Sequence, residues 1–64
     1  MQGIRLQRAM AALDAMPLRR RQAFLMHRVE GRTYVEIARR LGMNIRSVEE
    51  HVMLAIRDLA REIG

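Results

Sequence analysis

Apolar residues recur along the chain with the period of an α-helix, and no stretch alternates with the period of two that marks a strand. Pro17 lacks an N–H and disfavours helical geometry in the residue before it. We therefore expect it to end one helix, over about residues 4–16, and to open a second, over about residues 17–29. Gly31 can supply the positive φ that stops this second helix. The expected apolar faces of the two helices are Leu6, Ala9, Met10, Leu13 and Met16, and Leu18, Gln22, Phe24, Leu25, Met26 and Val29.

A third, short helix has the clearest boundaries in the sequence. Thr33 and Glu36 match a capping box, in which each side chain accepts a hydrogen bond from the backbone N–H of the other residue. Gly42 suits the position that follows a helix end, so helix is predicted over residues 34–41. Its apolar face is expected to consist of Tyr34, Ile37, Ala38 and Leu41.

A fourth, long helix follows, with Asn44 as the best N-cap candidate and a span of about residues 45–62. A single apolar stripe, which we expect to lie in the core, runs along it through Ile45, Val48, Val52, Ala55, Ile56, Leu59 and Ile63. A short helix, a turn with glycine and a second helix form a helix-turn-helix. The predicted fold is therefore all-α: a single compact four-helix domain over residues 1–64, winged-helix-like but without a wing.

The composition of the chain indicates a polyanionic partner. Twelve of the 64 residues are basic and seven are acidic, which gives a formal net charge of +5. Such a balance points to nucleic acid. All twelve basic residues are arginines, which suit phosphate and guanine, although the codon bias of a GC-rich genome explains the missing lysine equally well.

Several other classes of function are disfavoured. The chain has no cysteine, no apolar run near the ~20 residues of a membrane span and no signal-peptide pattern, so a cytoplasmic protein is expected. Two aromatic residues are too few for a typical single-strand binder. His27 and His51 form no recognisable zinc-ligand set, and Ser47 near His51 lacks an orienting acid and a cleft. We expect no enzyme activity, no metal or other cofactor and no small-molecule substrate, and we interpret His27 as a half-buried helix residue.

Polar side chains at the start of the fourth helix are candidate base readers, because this end of a second helix-turn-helix helix reaches the base edges. Arg46 suits the O6 and N7 atoms of guanine, and Glu49 or Glu50 suits the N4 amine of cytosine. The two acids have another explanation, which is that they only complement the helix N-terminus. Ser47 can take several roles, and His51, expected on the exposed side, can reach phosphate.

The start of the third helix is a candidate contact to the DNA backbone. Free N–H groups at a helix N-terminus, with a cation nearby, form an anion site. The candidate residues are Arg32, Thr33 and Tyr34. Arg39 and Arg40 lie on the polar side of this helix, where a solvated face is as plausible as a phosphate contact.

The segments "ALDAMP", "AFLMHRVEG", "YVEIARRLG" and "SVEEHVMLAIRDL" together resemble region 4 of bacterial extracytoplasmic-function sigma factors, nearest to the iron-uptake type. The resemblance spans about residues 12–59. It implies binding to the −35 promoter element, docking on the β flap of RNA polymerase through apolar residues of the first two helices and the end of the last, and masking by an anti-sigma factor. It places backbone contacts on Arg32, Thr33 and Tyr34, and base readers on Asn44, Ile45, Arg46, Ser47, Glu49 and Glu50.

Two departures from the family limit this interpretation. Region 2, which melts and reads the −10 element, is absent from these residues, so we expect a fragment, an excised domain or a lone region 4. Met43 and Ile45 stand where many members have other residues, which leaves the −35 sequence open. One alternative is the DNA-binding domain of LuxR-type response regulators, which binds palindromes as a dimer, although "LDAMP" and "HRVEG" favour the sigma factor. Another is an interaction module that captures an anti-sigma factor without touching DNA.

Overall fold

The computed structural model describes residues 2–63, so Met1 and Gly64 of the predicted single domain lie outside it. The described part contains four α-helices and no strand, which confirms the predicted all-α class. The helices are α1 (Gln2–Ala15), α2 (Leu18–Arg28), α3 (Tyr34–Leu41) and α4 (Ile45–Ile63). None of them is long and apolar enough to cross a membrane.

The core lies where α2, α3 and α4 meet. Ile37, Val48 and Val52 are the largest fully buried side chains, and removing each from water contributes roughly 1.5–3 kcal/mol. Buried alanines at Ala23 and Ala38 carry only a methyl group, so they leave space for α2 and α3 to approach α4. Most residues of this buried cluster therefore belong to the helix-turn-helix itself.

The predicted apolar faces are only partly right. On α1, Leu6 and Met10 are 61% and 56% exposed, and on α4 Ile45 and Ile56 are 46% and 38% exposed. The described part measures 37 × 17 × 16 Å, and α1 packs mainly against α4 alone. So thin a body has too few helices to cover a whole apolar stripe, and part of each stripe remains in solvent. The remaining exposed members of the predicted stripes are Leu18, Val29 and Ile63.

The turn between α1 and α2 gives two of the three consecutive arginines, Arg20 and Arg21, a structural role. Pro17 is the N-cap of α2 rather than its first helical residue, because its ψ of 146° is extended. The Nη1 of Arg21 donates to the carbonyl oxygens of Leu13 and Asp14 at 3.4 Å, at the end of α1. Arginine near the start of α2 is unfavourable for the dipole of α2 but favourable for that of α1.

Arg20 continues the same arrangement by linking two helices that are distant in sequence. Its Nη1 lies 2.6 Å from Oδ2 of Asp58, near the end of α4, and each side chain is 20% exposed. The hydrogen bond from Arg20 lowers the pKa of Asp58, and one from Arg57 adds to the effect. This ion pair fastens the start of α2 to the last turns of α4.

Candidate nucleic-acid interface

The start of α3 is fixed by the predicted capping box. The N–H of Glu36 donates to Oγ1 of Thr33 at 3.1 Å, and the N–H of Thr33 donates to Oε1 of Glu36 at 2.8 Å. The hydrogen bonds from the backbone and side chain of Thr33 lower the pKa of Glu36. Within residues 2–63, the N–H groups of Tyr34 and Val35 have no acceptor. These two donors, and not that of Thr33, are the ones that an anion can bind.

The turn between α3 and α4 is fixed by two further local signals. Gly42 has a φ of 66°, and its N–H and that of Met43 both donate to the carbonyl oxygen of Ala38. Oδ1 of Asn44 accepts the N–H of Ser47 at 2.8 Å, which confirms Asn44 as the N-cap of α4. The amide oxygen of Asn44 therefore accepts one hydrogen bond within the chain, and no partner for its NH₂ group lies among the described residues.

Most of the predicted base readers lie on one solvent-exposed face of α4. Residues that are three or four positions apart share a helix face, so Arg46 lies beside Glu49 and Glu50, and Ile45 borders them. All four are exposed. Nε of Arg46 is 3.7 Å from Oε1 of Glu50, too long for a hydrogen bond, and the two side chains are 89% and 67% exposed. Arg46 is therefore free to reach a base.

Ile45 and Met53 add two apolar side chains to this face. The sequence pattern placed Ile45 in the core stripe and did not single out Met53. Ile45 was expected in the core; it shares the side of Val48 and Val52 but is exposed, because it is the first residue of α4 and lies beyond the helices that cover them. Met53 is 64% exposed and follows Glu49 and Glu50 by four and three positions. The same helical spacing that grouped the polar residues identifies Met53 as a member.

Two predicted contacts lie at the flank of α4. Ser47 is half-buried. His51, expected to be exposed, is also half-buried, and its Nδ1 is buried without a hydrogen-bond partner among the described residues. His51 precedes Val52 and follows Val48 by three positions, so its ring borders the core. The exposed placement predicted for His51 is therefore wrong.

Arg32 lies immediately before the N-cap of α3 and is already engaged by an acid. Its Nε donates to Oε1 of Glu30 at 2.7 Å, and this hydrogen bond raises the pKa of Arg32. Nδ1 of His27 lies 3.2 Å from the carbonyl oxygen of Arg32, and the rings of His27 and Tyr34 are 4.6 Å apart. His27 and Tyr34 are both half-buried, as predicted for His27. The backbone of Tyr34 is therefore more available to DNA than its ring.

A separate apolar groove runs between α2 and the last turns of α4. Its lining residues are Phe24, Arg28, Ile56, Leu59, Ala60 and Ile63. The groove and the exposed face of Arg46, Glu49 and Glu50 thus lie at opposite ends of α4. Among residues 2–63, no three His, Asp or Glu side chains come together as metal ligands.

Comparison with known proteins agrees with this geometry. The family described as "Sigma-70, region 4" matches residues 5–59. A curated relative, the ferric citrate uptake sigma factor FecI of Escherichia coli (strain K12), is 43% identical over 44 residues. These are 69% of this chain but 25% of the relative, so the chain spans about a quarter of that protein's length. No solved structure matches the chain significantly.

Proposed function

Since the chain belongs to region 4 of the sigma-70 family, in the iron-uptake type of extracytoplasmic-function factors, we propose that the start of α4 reads the −35 promoter element while the start of α3 binds the DNA backbone. The observation that carries this proposal is the exposed face of Ile45, Arg46, Glu49 and Glu50 on a helix that is anchored in the core by buried Val48, Val52 and Ala55. The family assignment sets aside the LuxR-type alternative.

Each member of the exposed face has a distinct role in this proposal. Arg46 donates to O6 and N7 of a guanine. Glu49 or Glu50 accepts from N4 of a cytosine, because a carboxylate close to phosphate is otherwise unfavourable. Ile45 contacts a thymine methyl, a role that exposed Met53 can share one turn later. The NH₂ group of Asn44 and the hydroxyl of half-buried Ser47 lie at the edge of this face and complete it.

Phosphate binding is assigned to the start of α3. The N–H groups of Tyr34 and Val35 point out of the helix N-terminus, where the helix dipole favours an anion. The guanidinium of Arg32 precedes them and supplies a full positive charge. The N–H of Thr33 is used in the capping box, where its Oγ1 only accepts, so its O–H can still donate to a phosphate. His51, at the flank of α4, approaches phosphate with its exposed edge.

RNA polymerase is the second partner, and we assign the β flap to the apolar groove between α2 and α4. Phe24, Leu59 and Ile63 give the groove an apolar lining, and Arg28 adds a positive charge to it. An anti-sigma factor that covers this groove would compete with the polymerase. Promoter melting, which the family performs with region 2, is not proposed for these residues; we propose that this domain acts within a longer factor.

The test is a selection from random DNA duplexes at low salt, followed by sequencing of the retained duplexes. We expect enrichment of one short asymmetric element, since a single region 4 domain has one reading face. An enriched palindrome would contradict the proposal that a single copy of the domain reads the element. If nothing is enriched while the β flap is bound, the domain is an adaptor for polymerase or for an anti-sigma factor, and the base contacts assigned to α4 are wrong.

A further inference from the structure

We propose that Glu30 competes with DNA phosphate for Arg32, and so weakens the hold of the domain on duplex DNA of any sequence. The inference rests on the proposed function, because it takes Arg32 as a phosphate contact. Its starting point is the 2.7 Å hydrogen bond between Nε of Arg32 and Oε1 of Glu30. A carboxylate in direct contact with a phosphate-binding arginine occupies the position that the DNA phosphate would take.

The turn between α2 and α3 builds this pair. Gly31 has a φ of 69°, and the N–H of Arg32 donates to the carbonyl oxygen of Met26 at 3.0 Å. The carbonyl oxygen of Arg32 lies 3.2 Å from Nδ1 of His27. Both polar backbone groups of Arg32 are therefore held, and its side chain starts from a defined point beside the N-cap of α3. Glu30, two residues earlier, meets the guanidinium there.

The chemistry of the guanidinium makes this contact competitive. Arginine binds phosphate through two parallel N–H groups, and Nε with one Nη forms one of the forks available to it. Glu30 occupies Nε and blocks that fork. A phosphate that takes the other fork comes close to the carboxylate. DNA must then displace Glu30 or bind beside a like charge, and either outcome lowers affinity.

The contact differs from the other acid–arginine pair on the DNA side of the molecule. Arg46 and Glu50 are 3.7 Å apart and are largely exposed, whereas the side chains of Arg32 and Glu30 are 32% and 48% exposed. Only Arg32 and Glu30 are within hydrogen-bonding distance of each other. Because Arg32 contacts backbone and not base, the effect of Glu30 is the same for every sequence. The polymerase, by raising the effective concentration of DNA at this surface, offsets the loss when the domain is part of a complex.

The test compares Glu30→Gln with Glu62→Gln, a control that removes the same charge at an exposed residue near the far end of α4. Binding to a labelled random duplex is measured by fluorescence anisotropy from about 50 to about 200 mM salt. With about four to six phosphate contacts, log K of the wild type should fall against log salt with a slope near −4 to −5. Glu30→Gln should bind about two- to five-fold tighter than the control, with a slope steeper by up to about one unit.

Arg32→Ala and the double variant Glu30→Gln/Arg32→Ala complete the cycle, with circular dichroism as the check on folding. If Glu30 acts through Arg32, Glu30→Gln should have no effect when Arg32 is absent. Binding by Glu30→Gln that equals the control, or is weaker, overturns the competition and makes Glu30 neutral or an orienting group. An Arg32→Ala variant that binds like the wild type instead overturns the proposed phosphate contact. If no variant binds at the lowest salt, both proposals fail.

Discussion

Gly42→Ala should lower the free energy of unfolding by about 1 kcal/mol, and the structure limits the effect to that size. Gly42 has a φ of 66°, and a residue with a Cβ costs roughly 1–2 kcal/mol in the left-handed region. Alanine also reduces the entropy of the unfolded chain, which returns about 0.4–1 kcal/mol. A Cβ added at Gly42 meets nothing within 4 Å, so no clash adds to the difference.

Thermal unfolding followed by circular dichroism measures this change, which corresponds to a fall in Tm of about 4–8 °C for a chain of this size. Gly3→Ala is the matched control: Gly3 lies in α1, also with open space around it, so the same substitution should raise stability by up to about 1 kcal/mol. Gly42→Asn should fall between wild type and Gly42→Ala, because asparagine tolerates positive φ. A loss above about 3 kcal/mol at Gly42 would mean a clash that the structure lacks, and no loss would mean that the turn is not left-handed.

Three further predictions test the core, the reading face and the inter-helix ion pair. Ile37→Val removes a methylene from a fully buried side chain and should lower the free energy of unfolding by about 0.5–1.5 kcal/mol. Ile45→Val, at an exposed residue, should lower it by less than about 0.5 kcal/mol. Equal losses in urea titrations would contradict the described core. Arg46→Ala should weaken binding to the selected −35 element by about 1–3 kcal/mol and leave binding to the β flap unchanged, whereas loss of both would contradict separate surfaces. Because Arg20 lowers the pKa of Asp58, the stability from this pair is present above the unfolded pKa of the carboxyl and is lost as pH falls through the lower folded pKa. The Tm advantage of wild type over Asp58→Asn should therefore be present at neutral pH and vanish in acid, and an advantage independent of pH would show that the charge of Asp58 is not its source.

The sequence predicted the ends of α3 and the start of α4 because their signals are local. Thr33, Glu36, Gly42 and Asn44 all act on backbone groups within four positions, so no knowledge of the rest of the fold is needed to place the ends of α3 and the start of α4. The same locality explains the limits of the base-contact prediction. A sequence shows that Asn44 can cap, but not that capping leaves only its NH₂ group available.

The burial of α1 and of the flanks of α4 could not be predicted in this way. Helical periodicity identifies the apolar side of a helix, but the number of neighbouring helices decides how much of that side is covered. Leu6 and Met10 belong to the apolar side of α1 and remain exposed because the described residues place no helix over them. His51 follows Val48 by three positions and precedes Ala55 by four, so the same period places it at the border of the apolar stripe, and packing decides that it is half-buried there.

A single rigid helix connects the two surfaces proposed for this domain. The 19 residues of α4 span about 28 Å, with the base-reading face on the first turns and the flap groove on the last. Val48, Val52 and Ala55 are buried between these ends, so the helix cannot turn at one end without disturbing the core at the other. If the two surfaces bind as proposed, the length and packing of α4 set the position of the −35 element relative to the polymerase. Under the same proposal, a weak hold on DNA, such as competition by Glu30 would produce, is compatible with accurate placement. The polymerase would supply affinity through the groove, and α4 would fix the orientation of the reading face.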